Sequence, residues 1–337
     1  MLSIITPSFN SEKYIAQTYT GIISQTFTDW EWMIVDDGST DNTLQLLQQY
    51  AAADSRIKYL KRDRAPKGAT TCRNIAVEKC SGEYLLFLDT DDVPASFCLA
   101  QRVNAMQQYP DYDFIVFQMM LFQEKLDDTK LLWNVEDERD NLDRAIRMNP
   151  VMAGSSTVWK KDSFVKIGLW DDRILINQDI ELHIRSMAYG LRYLMQLDLP
   201  PDIFVRNNQQ SISRAKKKPA DKQLSRVYYF RKIAEHLKKN GLLEKHTAAV
   251  KWLFLKLFFD LLYDQEPAIA GQLYRVAIGE IKLSTKENII CKGLLLFGKQ
   301  SKPAVGIIRF INRRLLSSSA NVNQTHGRLV YDKPVVY

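Results

Sequence analysis

The sequence predicts an α/β fold: a layered domain with a mixed, mainly parallel sheet, followed by a helix-rich region. Three observations predict it. Short β-rich runs alternate with amphipathic helical stretches through residue 122. The runs end in polar, acid-rich turns. The charge also changes sign along the chain: 22 Lys and Arg stand against 30 Asp and Glu up to Ser213, a net of −8, and 24 against 9 from Arg214 onward, a net of +15. Such a division points to two functional parts, expected at 1–213 and 214–337.

Leu2–Thr6 is a continuous apolar run closed by Pro7, which reads as a buried strand. Ser11–Gln25 places Tyr14, Ile15, Thr18, Ile22 and Ile23 at helical spacing, with Ser11 as the expected N-cap. Trp30–Val35 is a second strand that stops at Asp36-Asp37-Gly38, and Thr40–Ala53 is helical. Ile57–Leu60, Ala69–Lys79, Tyr84–Leu88, Phe97–Gln108 and Phe114–Phe122 continue the rhythm as strand, helix, strand, helix and strand. Residues 123–150 are acidic and weakly patterned, expected as loop plus a short helix. Val151–Trp159 regains strand character, Asp162–Ile167 is a short helix and Asp179–Tyr189 a longer one. Lys216-Lys217-Lys218-Pro219 marks a break, and Gln223–Lys239, His246–Tyr263 and Ala268–Ile281 are helical beyond it.

The 337 residues are 46% apolar and 25% charged, a globular balance. No stretch approaches the roughly 18 apolar residues of a membrane-spanning helix. MLSIITPSFN lacks the basic start of a secretory signal. Cys72, Cys80, Cys98 and Cys291 form no CxxC pair and no disulfide framework. A reducing, cytoplasmic setting is expected. His183, His236, His246 and His326 have no metal-ligand spacing and are expected as packing or surface residues.

In a parallel sheet, ligands bind outside the carboxyl ends of the strands. Those ends carry Pro7-Ser8-Phe9-Asn10, Asp36-Asp37-Gly38-Ser39 and Asp89-Thr90-Asp91-Asp92. Acids two apart just past a strand can turn into one pocket. A divalent cation that bridges a nucleoside diphosphate takes one or two carboxylates plus phosphate oxygens. Taken alone, the acidic triplet also suits a solvated turn, and Asp36-Asp37-Gly38 an Asx-turn. The ordered set is more specific. Thr6–Asn10, Val35–Asp41, Gly68-Ala69, Arg73-Asn74-Ile75-Ala76 and Leu88–Asp92 together resemble family-2 glycosyltransferases of the GT-A fold, over about residues 1–213.

The resemblance implies a Rossmann-like nucleotide-diphospho-sugar transferase domain. It implies an inverting transfer from a UDP-linked sugar to a hydroxyl of a glycan or lipid-linked acceptor, with Mg²⁺ or Mn²⁺ as cofactor. It makes Asp91 the metal ligand and Asp89 a ribose or metal partner. Asp37 becomes the carboxylate that accepts the uracil imino N–H, with Asp36 bracing its loop. Pro7 and Phe9 pack the base, and the family often carries Tyr where Phe9 stands. Arg73 is placed to reach the diphosphate, although its position also suits a helix-surface arginine. Gln178-Asp179-Ile180-Glu181 resembles the family's acidic acceptor motif, with Gln178 replacing the first acid. Asp179 then matches the catalytic base, the alternative being an acid that only stabilises a helix start. Arg206–Ser213 resembles the segment that closes the donor site, with Asn208 where many members have His.

Two readings in other classes stay open on the residues alone. A glycoside hydrolase would use Asp91 and Asp179 as its carboxylate pair but leaves Asp36-Asp37-Gly38 without a role. A non-catalytic sugar-nucleotide or membrane-binding protein would fit the departures at Gln178 and Asn208. In the basic part, Val250–Tyr263 reads as a core helix or an interfacial one, and Ile307–Leu316 as a basic amphipathic stretch. An anionic membrane surface is therefore an expected partner, peripheral on the inner face of the cytoplasmic membrane. No motif for nucleic acid accompanies the charge.

Overall fold

Continuous apolar runs bury both faces of a strand, and here they occupy the middle of a seven-stranded sheet. The computed structural model describes residues 1–207, 219–297, 330, 331, 333 and 335. Its elements begin β1 (Leu2–Ser8), α1 (Ile15–Ile23), β2 (Trp30–Asp36), α2 (Thr43–Ala53), β3 (Ile57–Lys61), α3 (Ala69–Lys79) and β4 (Tyr84–Phe87). There follow β5 (Val93–Pro94), α4 (Cys98–Gln108), β6 (Phe114–Phe117), β7 (Met119–Phe122), β8 (Leu131–Leu132), α5 (Asn141–Ile146), β9 (Thr157–Lys160) and α6 (Lys161–Lys166). The rest are α7 (Gln178–Ala188), β10 (Tyr193–Gln196), β11 (Ile203–Arg206), α8 (Ala220–Lys239), α9 (Thr247–Tyr263), α10 (Pro267–Glu280) and α11 (Thr285–Phe297).

The main sheet runs β10-β6-β9-β4-β1-β2-β3. All its pairs are parallel except those of β9, which lies antiparallel to both β4 and β6. The expected mixed, mainly parallel sheet is therefore present. The reversed β9 places its start, rather than its end, beside the carboxyl end of β4. A second sheet, β5-β11-β7-β8, stands beside the first.

Three expectations need correction. Phe114–Phe122 is not one strand: Gln118 interrupts it, and β6 and β7 belong to different sheets. The Gln118 side chain donates to the Asn134 carbonyl instead of continuing the pattern. Val151–Trp159 is strand only from Thr157, because the preceding residues turn and bond among themselves, Ser156 Oγ accepting from the Ala153 amide at 2.8 Å. Ser11 does not cap α1, which starts at Ile15; its hydroxyl instead meets that of Thr90 at 2.8 Å.

Beyond residue 219 the apolar faces of α8, α9 and α10 close one core with α5 and α7. Val250–Tyr263 falls in α9, whose Trp252, Leu253, Phe254, Leu257, Phe258 and Leu261 are buried, so it is a core helix. The boundary expected at 213/214 and the Ile307–Leu316 stretch lie outside the described residues. Among the described residues no helix is long and apolar enough to cross a membrane. The four cysteines are buried and unbridged.

Candidate active site

The carboxyl edge of the main sheet gathers the chemistry because β1, β2 and β4 run in the same direction. After β2, Asp36 turns back on its own loop. Its Oδ2 accepts the amides of Gly38 and Ser39, both at 2.9 Å, and Gly38 takes a positive φ of 88°. That loop presents Asp37, whose Oδ1 accepts Arg62 Nε at 2.5 Å and the Gly68 amide at 3.3 Å. At the end of β1, Pro7 is half-buried and the Phe9 ring is 41% exposed.

After β4 comes the acidic turn. Thr18 Oγ1 donates to the carbonyls of Thr90 and Asp92, at 2.9 and 2.8 Å, and so fixes its backbone. Asp92 is buried; it accepts the Arg206 amide and the Ser155 hydroxyl, both at 3.3 Å. Asp91 is half-buried. Burial, then the neighbouring Asp89 charge, pushes its carboxyl up to about 6, although Arg206 works against the shift. Asp89 is half-exposed and receives Arg73 Nη2 at 2.7 Å.

Arg73 joins this turn to the acceptor side. Its buried guanidinium lies 4.8 Å from the Trp170 ring and reaches Gln178 Oε1 at 3.5 Å. Asp179 follows at the start of α7, behind Asn177 in a left-handed conformation, φ 54°. Burial raises the Asp179 carboxyl and the Asp89 charge adds to this, while Arg73 and the Gly154 amide hold it down. Glu181 points elsewhere: it is buried against Arg185 at 2.8 Å and His236 at 3.2 Å. The site thus sets two acid positions, Asp89–Asp92 and Asp179, on either side of one arginine.

Residues 3–167 match the model for "Glycosyl transferase family 2". This part of the chain belongs to that family. The family-2 match covers the base loop and the acidic turn and stops short of Asp179. A relative in Escherichia coli, UDP-Glc:alpha-D-GlcNAc-diphosphoundecaprenol beta-1,3-glucosyltransferase WfgD, is 36% identical over 121 residues, 34% of this chain and 47% of that protein. The E. coli chondroitin synthase is 40% identical over 92 residues, 27% of this chain and 13% of that protein. The matches to the first relatives span 36%, 47% and 43% of those proteins' lengths. Among solved structures, S. aureus TarS 1–349 in complex with UDP superposes with a TM-score of 0.65 at 15% identity, covering 95% of this chain and 92% of that one. At that identity the likeness shows the fold alone, the GT-A arrangement followed by a helical region.

The family-2 fold often works with a divalent cation, and the acidic turn suits one. Among the described residues no group of three or more His, Cys, Asp and Glu could enclose a metal. A cation carried in with a diphosphate needs only one or two protein carboxylates. Asp91, raised by burial and then by its neighbour's charge, is a carboxylate that such a cation would relieve.

Sequence reasoning missed Gly154, Ser155, Trp170 and Arg102. The 154–155 turn reaches the site only because β9 is reversed. Beneath it, Arg102 Nη1 donates to the Ser155 carbonyl at 2.8 Å and Nη2 pairs with Asp202 at 2.7 Å, with both side chains fully buried. The Gly-Ser-Ser run ahead of a strand was the one available signal.

Proposed function

We propose that the chain is an inverting, metal-dependent glycosyltransferase that moves a hexosyl or N-acetylhexosaminyl group from a UDP-sugar to a hydroxyl of a glycan or lipid-linked acceptor. The carrying observation is Asp179, a carboxylate held by Arg73 and the Gly154 amide beside the Asp89–Asp92 turn. The family match supports the reaction class. The WfgD name, with its UDP-Glc donor and diphosphoundecaprenol acceptor, supports the donor and acceptor classes and work at a membrane face.

Asp37 accepts the base imino N–H, Pro7 and Phe9 pack its ring, and Asp89 serves the ribose or the metal. Asp91 would hold Mg²⁺ or Mn²⁺, which neutralises the departing diphosphate. Arg73 favours the ionised form of Asp179 against the effect of burial. The acceptor oxygen attacks the anomeric carbon, its proton passes to Asp179, and the bond to the diphosphate oxygen breaks. UDP leaves and the anomeric centre inverts, with no covalent sugar–enzyme species.

The test is donor-screened turnover with Mn²⁺ and a mixed acceptor panel. Asp179→Asn should lower kcat by about 10²–10⁴ while UDP affinity and the melting curve stay put. Full turnover by Asp179→Asn sinks the base assignment. Sugar release from a glycan without any nucleotide-sugar sinks the transferase reading.

A further inference from the structure

One more cation stands at the base-reading end of the cleft. Lys67 Nζ lies 4.0 Å from the centroid of the exposed Phe9 ring. The next amide, Gly68 N–H, donates to Asp37 Oδ1. Lys67 therefore lies against the aromatic that would pack a base, and its neighbour in sequence holds the carboxylate that would read it. The neighbouring guanidiniums are committed: Arg62 to Asp37, Arg64 to Glu78 and Arg73 to Asp89. Lys67 is exposed and forms no ion pair among the described residues. An ammonium over an exposed ring is weakly held. Its four-carbon stem swings freely and carries three donors.

We propose that Lys67 determines base specificity: its ammonium leaves the Phe9 ring and donates to the base carbonyl oxygen, at C4 of uracil, next to the imino N–H that Asp37 accepts. This rests on the nucleotide-sugar reading and on Asp37 as the base reader. An acceptor and a charged donor side by side fit an edge with N–H beside C=O. Uracil has that edge, and so does guanine at N1 and O6. Cytosine offers a ring-nitrogen lone pair beside an amino group. Its lone pair would face the carboxylate and its amino hydrogens the ammonium, so both contacts turn repulsive. A site that hydrogen-bonds one edge discriminates strongly because a mismatch leaves its polar groups unpaired.

The experiment titrates the full chain, wild type and Lys67→Met, with UDP and CDP by calorimetry in Mn²⁺, and with uridine by ligand-observed NMR. Wild type should bind UDP about tenfold or more tighter than CDP. Lys67→Met should weaken UDP and uridine by the same factor, about fivefold or more, and should not weaken CDP. Loss for UDP without loss for uridine would move Lys67 to the phosphates and overturn the proposal. Equal losses for UDP and CDP, or no loss at all, would overturn it too. A wild-type chain that binds no UDP instead removes the UDP-sugar reading beneath it. Lys67 is solvent-exposed, so a matching melting curve for the variant is expected and is measured alongside.

Discussion

A Cβ at position 154 would sit 3.3 Å from Asp179 Oδ1 and 3.6 Å from the Trp170 ring. Something would have to give by a few tenths of an ångström, and the carboxylate is the movable party. Gly154→Ala should therefore lower kcat by roughly tenfold, since small misplacements of a reacting group are costly. UDP affinity should not change, because neither Asp37 nor Phe9 is among the nearest atoms that a Cβ at 154 would meet. Equal losses in kcat and UDP affinity would point to general distortion. At this scale the placement of Asp37, Asp89, Asp91 and Asp179 at strand ends or a helix start was legible, because each sits in a run whose local turn or helix start is written in its neighbours. Gly154 and Lys67 were not. Their roles come from residues 25 and 58 positions away, Asp179 and Phe9, and no local pattern carries that.

The loop that delivers Asp179 is held at its start and in the middle by different elements. Arg185 of α7 donates to the carbonyls of Ile167 and Leu169, and Asn74 of α3 bonds both backbone groups of Trp170. α8 holds the middle. Ser225 Oγ accepts the Leu175 amide at 2.8 Å, and the Tyr228 hydroxyl donates to Asp171 at 2.8 Å, where it and Arg173 keep that carboxyl low. Removing both α8 contacts with Ser225→Ala and Tyr228→Phe should speed amide exchange across 171–177 and reduce transfer. UDP binding should remain. Unaltered exchange in that loop would show that α8 does not hold it. Element order was largely readable from periodicity, but sheet membership was not. Phe114–Phe122 is apolar except at Gln118, and a single polar residue inside a strand-like run does not by itself mark where one sheet hands over to the other. The two-residue strands β5 and β8 are too short to carry a period.

The whole molecule carries an acid-sensitive point in its middle. His183 on α7 is fully buried between Phe114 and Trp159, with ring centroids 6.0 and 5.9 Å away. Neither of its ring nitrogens makes a well-formed hydrogen bond. Burial is the main cause that takes its pKa down to about 4 and Arg185 adds to this, while the Asp179 backbone and the Glu181 charge oppose it. The folded state thus binds this proton less readily than the unfolded chain. Its contribution to stability is complete above about pH 6.5 and is lost as pH falls toward 4, about 3 kcal/mol at most. Denaturant unfolding of His183→Leu and wild type should differ by a constant amount above pH 7. Below pH 6.5 the difference should shift progressively in the variant's favour, and a flat difference would reject the assignment. The step in charge falls between β11 and α8, yet it hides how closely the sheet and the helices beyond it are joined. α7 has one face in the core that includes Leu182 and Trp159, and another in the core it shares with α8 and α9. That shared helix sets terms of inheritance. The helical region could not be exchanged between relatives as a cassette unless the newcomer reproduced Ser225, Tyr228 and His236. Substitutions in α8 should therefore appear among relatives paired with changes at 171, 175 or 181.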